Sequence, residues 1–199
     1  MCAAAVLVFI FAWGAVSLID SRQEAGTSIA APPPAADGTV MPSATAVGND
    51  AAVEASPPTR LAIEDAGIDV EVLPLLPSEE ALAEQAIVPP LTEDGYWLAS
   101  YGQPGRGSTN TTYLTGHSWE GSESPFNRLS THAEVGNTIT LDTEAGSLDY
   151  VVESITTHDK ETLKDSDIWS IVPNRLVIIS CYTEDLWGKN VIVTAAPKP

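Results

Sequence analysis

From Thr59 onward, apolar residues come in short runs rich in β-branched and aromatic side chains, separated by turn signals. That punctuation leaves little room for long helices and reads as many short strands. "RLAIEDAGIDVEVLPL" alternates at Leu61 and Ile63, turns at Ala66-Gly67, and resumes at Ile68, Val70 and Val72. "NTITLDTEAGSLDYVVESITTHD" reads as a hairpin about Ala145-Gly146, and "RLVIISC" and "NVIVTAA" as the closing strands. "GYWLASYGQPGRGSTNTTYLTGHSW" gives a strand, a Gly/Pro turn and a second strand ending near His117. Helix is confined to "SEEALAEQAIV", with Ser78 as N-cap, to a short piece in "SPFNRLSTHAEVG", and to a turn in "LKDSDIWSIVPN". The pattern is that of a closed or sandwich-like β architecture.

Upstream the composition changes. Residues 3–19, "AAAVLVFIFAWGAVSLI", are uncharged and almost wholly apolar, at the short end of a bilayer span. We expect residues 1–20 to be a membrane anchor or an uncleaved signal. Residues 21–58 are rich in Ala and Pro and lack sustained periodicity, which predicts a flexible linker. Residues 59–199 then form the folded domain, held outside the cytoplasm by a single pass. The 199-residue chain carries 27 acids against 9 bases, a formal charge of −18. That excess argues against nucleic-acid binding and against docking on anionic lipid through a basic patch.

Of the two cysteines, Cys2 sits before the apolar run and Cys181 near the end of the chain, so no disulfide framework is expected. Cys181 follows the apolar "RLVIIS" and precedes the polar "YTED", which predicts an exposed thiol at a strand end. His117 holds the same kind of place after "TYLTG", 64 positions earlier. A thiolate nucleophile needs a basic partner close in space, not in sequence. On the residues alone the bland reading also stands, since a lone cysteine is often a buried hydrophobe. His132 and His158 read as surface residues. His117, His132, His158 and Cys181 lack close ligand spacing, and no dinucleotide or Walker pattern occurs, so neither metal nor cofactor is expected.

These segments, taken in order, resemble the sortase family, most closely its actinobacterial class E/F type. "TYLTGHSW" resembles the family's histidine segment and "LVIISC" its nucleophile segment. "SPFNRL" resembles the stretch that follows the histidine, and "VEVLP", "YWLASYGQPGRG" and "VGNTITL" fall in family order. The resemblance implies an eight-stranded β-barrel and a cysteine transpeptidase acting on LPxTG-like sorting signals. It implies Cys181 as nucleophile, His117 as general acid/base, and Ser180 as a residue that helps place the substrate. The acceptor would be a cell-wall amine, on a peptidoglycan precursor or a pilin. The family's third residue is an arginine on the strand after the nucleophile, yet no arginine follows Cys181. Lys189 or Asn190 stands near its place. A non-catalytic sortase-fold module that binds sorting signals is the alternative. An L,D-transpeptidase would share the chemistry, but its S-x-G-C segment is missing.

Overall fold

A computed structural model describes residues 53–83 and 87–199. The anchor expected at residues 1–20 and most of the linker lie outside the described residues. Residues 53–56, within the stretch expected as linker, are already tied down: Ala55 N donates to Arg106 O and Arg106 N to Val53 O. Among the described residues no helix is long and apolar enough to cross a membrane.

The first alternating stretch becomes β1 (Pro58–Ile63) and β2 (Ile68–Leu75), joined by a single 3-10 turn, Glu64–Ala66. Gly67 closes that turn in the left-handed region, at φ +63°. Ser78 caps the short α1 (Glu79–Ala83), its Oγ accepting from Ala81 N at 3.1 Å. β3 (Gly95–Leu98) and β4 (Thr112–Thr115) follow, then α2 (Arg128–Thr131). The expected hairpin is β5 (Thr138–Thr143) and the long β6 (Gly146–Asp159); β7 (Leu176–Cys181) and β8 (Lys189–Pro197) end the chain.

The strands close into an eight-stranded barrel in the order β1-β2-β3-β4-β7-β8-β6-β5, with β5 pairing back to β1. Two pairs, β2/β3 and β4/β7, are parallel, and the rest are antiparallel. A parallel pair needs a long crossover. The one from β2 to β3 passes through α1 and carries Ile87 and Pro89 across the outside of the barrel.

Alternation along each strand separates two apolar clusters. Leu114, Leu176, Ile178, Val191 and Val193 point inward, with Leu61, Trp97, Phe126 and Tyr150. Tyr113, Val177, Ile179 and Ile192 point outward and meet Leu98, Ile87, Leu163 and Ile168. β7 is therefore buried at all six positions. That is the physical reason "LVIIS" is apolar without alternation. The outer cluster is roofed by the β6–β7 connection. Arg175 holds that roof, its Nη2 donating to Ile168 O at 2.6 Å and Ser170 O at 2.7 Å.

Candidate active site

β4 and β7 run parallel in constant register, Leu114 beside Ile178 and Thr115 beside Ile179. That offset is 64, the spacing between His117 and Cys181. The chain leaving β4 stays alongside: Gly116 N donates to Ile179 O, and Ser118 Oγ donates to Cys181 O at 2.8 Å. His117 thus lies level with Cys181, one strand away. Across the other edge, Cys181 pairs directly with Asn190 of β8, and Asn190 with His158 of β6. One crosswise row therefore reads His117, Cys181, Asn190, His158. Neighbouring strands lie about 5 Å apart, so His117 is one spacing from Cys181 and His158 is two, about 10 Å. Of the two histidines in the row, His117 is the nearer to Cys181.

Tyr182 N donates to Lys189 O at 3.0 Å. The next pair inward, Cys181 and Asn190, is then of the non-hydrogen-bonded kind, whose side chains approach most closely, with Cβ atoms about 4.5–5.5 Å apart. Both belong to the outward-facing positions, the parity of Ile179 and Ile192. Lys189 has the opposite parity and leaves β8 on the other face, opposite Tyr182. Of the two residues near the expected arginine, Asn190 shares the face of the thiol.

Cys181 is 0% exposed and His117 1%. The exposed thiol expected from the sequence is overturned, because Leu186 of the β7–β8 connection folds back onto Cys181. His117 is fixed from the other side by the β2–β3 crossover: its Nε2 donates to Pro89 O at 2.9 Å. Since a carbonyl only accepts, that nitrogen carries the hydrogen. Ser180 points inward, away from the thiol; its Oγ donates to Gly116 O at 2.8 Å and lies 2.9 Å from Ser118 Oγ, the two hydroxyls sharing two hydrogens among three contacts. It ties β7 to the segment that carries His117. Gly116 itself admits no side chain, because a Cβ there would sit 2.3 Å from the ring of Phe126.

A residue missed in the sequence completes the surroundings. Lys160, just past the end of β6, donates from Nζ to Cys181 Sγ at 3.4 Å and to Leu186 O at 2.6 Å. In "ITTHDKETLKD" it reads as one charge in a solvated run. Five buried side-chain atoms have no hydrogen-bond partner among the described residues: Thr112 Oγ1, Thr115 Oγ1, Trp119 Nε1, and Asn190 Nδ2 and Oδ1. All but Thr112 belong to the neighbourhood of the row. Each such atom costs about 1–3 kcal/mol unless a water or another polar group meets it. Among the described residues no group of acidic, histidine or cysteine side chains is arranged to hold a metal.

Comparison with known proteins bears on the fold and the family. No curated protein sequence matches the chain. Among solved structures, sortase A from Corynebacterium diphtheriae matches with TM-score 0.52 and 17% identity, over 73% of this chain and 62% of that one. The chain thus spans less than two thirds of that protein's length. Sortase C-1 from Actinomyces oris matches with TM-score 0.51 and 18% identity, over 71% of this chain and 73% of that one. A crystal structure of Streptococcus agalactiae sortase C1 gives TM-score 0.54 and 17% identity, over 71% and 66%. At such identities these likenesses speak to the fold. The family model described as "Sortase domain" matches residues 61–198, nearly the whole described barrel. The chain belongs to the sortase family.

Proposed function

We propose that the protein is a cysteine transpeptidase in which Cys181 is the nucleophile and His117 the general acid/base, cutting LPxTG-like signals at the Thr–Gly bond. The observation that carries the reading is the row formed by His117, just past the end of β4, Cys181 on β7 and Asn190 on β8. Sγ gives its proton to His117 and attacks the Thr carbonyl carbon. The C–N bond breaks, and His117 returns the proton to the departing amine. A thioacyl intermediate remains. The acceptor amine, from a peptidoglycan precursor or a pilin, attacks it, gives up a proton to His117, and releases the thiolate. No cofactor is needed for these steps.

Asn190 Nδ2, buried and without a partner among the described residues, is a donor for the oxyanion, the part played by the family's arginine. Lys189 has the wrong parity for that part. Ser180 acts indirectly, by aligning the His117 segment. Residues 1–20 hold the chain in the cell membrane with the barrel extracytoplasmic. The assignment to class E/F rests on the sequence resemblance.

The full chain is incubated with a panel of LPxTG-type peptides and an amine acceptor, beside Cys181→Ala, His117→Ala and Lys189→Ala. Product that is lost in the first two and kept in the third is expected. The full burial of the thiol and the missing arginine favour a second reading, a module that binds sorting signals without turnover. Peptide binding that survives Cys181→Ala, with no product from the native chain, establishes that reading instead.

A further inference from the structure

We propose that Lys160 is a working part of the thiol site: its ammonium stabilises the Cys181 thiolate while holding the β7–β8 connection over it. This rests on the reading of Cys181 as the nucleophile. Lys160 Nζ donates to Sγ at 3.4 Å and to Leu186 O at 2.6 Å, and its backbone N–H donates to Gly188 O at 2.9 Å. The residue is placed by β6, whose 14 residues run out past the barrel wall to pair with the start of β8. An irregularity between Val152 and Ser154 resets the alternation, so that Ile155 packs inward and Lys160 falls on the outer face with Cys181.

The physical case is the cost of charge under cover. A thiolate buried beneath Leu186 loses hydration, which favours the neutral thiol. An ammonium in contact reverses that balance. The thiol's proton goes to His117, as in the proposed reaction. The titratable and charged groups around Sγ are His117 from the β4 exit, Lys160 from β6, and His158 two strands away. Asp159 and Glu161 flank Lys160, and Asp185 in the β7–β8 connection accepts from Gly188 N at 2.9 Å. β8 contributes the neutral Asn190. The same Nζ holds both the sulfur and the Leu186 carbonyl, so charge and cover are coupled through one side chain.

The test is the pH dependence of Cys181 alkylation by iodoacetamide in the full chain. Peptide mass spectrometry separates Cys181 from Cys2, and thermal melts verify folding. Lys160→Met and Lys160→Gln run beside Lys160→Arg. Loss of the charge is expected to slow alkylation at pH 7 about tenfold and to move the midpoint of the profile upward, with Lys160→Arg close to native. Release of the cover raises the high-pH plateau and, by rehydrating the thiolate, moves the midpoint downward, so an upward shift reports the loss of the charge. A midpoint unchanged in both uncharged variants overturns the proposal, even if the plateau rises. The readout needs no sorting signal. A native chain that cuts no peptide but shows the midpoint shift defeats the catalytic reading and leaves the Lys160 contact standing. Cleavage with an unmoved midpoint does the reverse.

Discussion

Replacing Gly116 by alanine should damage both fold and site, for a reason visible in three distances. A Cβ at Gly116 would lie 2.3 Å from Phe126 Cε2 and 2.4 Å from Cδ2 and Cζ. Ordinary contact begins near 3.4 Å, so the ring must retreat by about 1 Å. It has little room, since Phe126 is fully buried in the inner cluster. Overpacking of this kind costs about 1–3 kcal/mol, which for a domain of this size lowers Tm by about 4–12 °C. If the ring holds instead, the backbone yields, and His117, the next residue, moves off the level of Cys181. The assay is a pair of urea melts with a double-mutant cycle, Gly116→Ala and Phe126→Leu singly and together. Leucine removes the ring that the new methyl strikes, so the double variant should recover at least about 1 kcal/mol relative to additivity. A Gly116→Ala protein within about 0.5 kcal/mol of native, with no coupling to Phe126, would refute the reasoning.

Asn190→Ala should leave peptide affinity close to native and reduce kcat about 100-fold, the usual effect of one lost oxyanion donor; a change confined to KM would remove Asn190 from the transition state. Burial, and secondarily Tyr113, push the Tyr101 phenol up to about 12, and burial raises Tyr113 as well. Both favour the protonated form in the folded state, so their contribution is complete below the ordinary value of 10.0 and is lost as pH rises above it, for Tyr101 towards about 12. Absorbance titration should show these two phenols ionising above the ordinary value, and Tyr101→Phe should flatten the loss of stability over that window. Arg175→Ala removes the donors to Ile168 O and Ser170 O that hold the roof of the outer cluster. It should cost about 2 kcal/mol in a melt and raise KM more than it lowers kcat.

The barrel was legible because each strand is short, bounded by turn residues, and either alternating or apolar throughout. That the segments leading to His117 and Cys181 lie side by side was legible for a related reason: two strands leading to reactive residues can meet across one sheet. What escaped depends on register. Whether Asn190 or Lys189 shares the face of the thiol turns on how Tyr182–Gly188 closes the hairpin, and a shift of one residue exchanges the two. Lys160 escaped because its face is set by the irregularity at Val152 and Ser154, which no local pattern announces. The exposure expected for Cys181 followed from the polar "YTED" after it. The connection instead turns back, and a single apolar residue within it, Leu186, closes over the sulfur.

The covered sulfur bears on how long such a protein lasts. Sulfenic acid formation and mixed disulfides both require the thiolate to meet a reagent from outside. With Sγ closed off by Leu186 and held by Lys160, that meeting waits for the β7–β8 connection to swing away. Chemical ageing of the protein then proceeds at a rate proportional to the open fraction, not to the oxidant concentration alone. Leu186→Ala should shorten the lifetime of the thiol in dilute peroxide, and a bound peptide that occupies the same space should lengthen it. Durability and readiness are in this way set by one segment of chain.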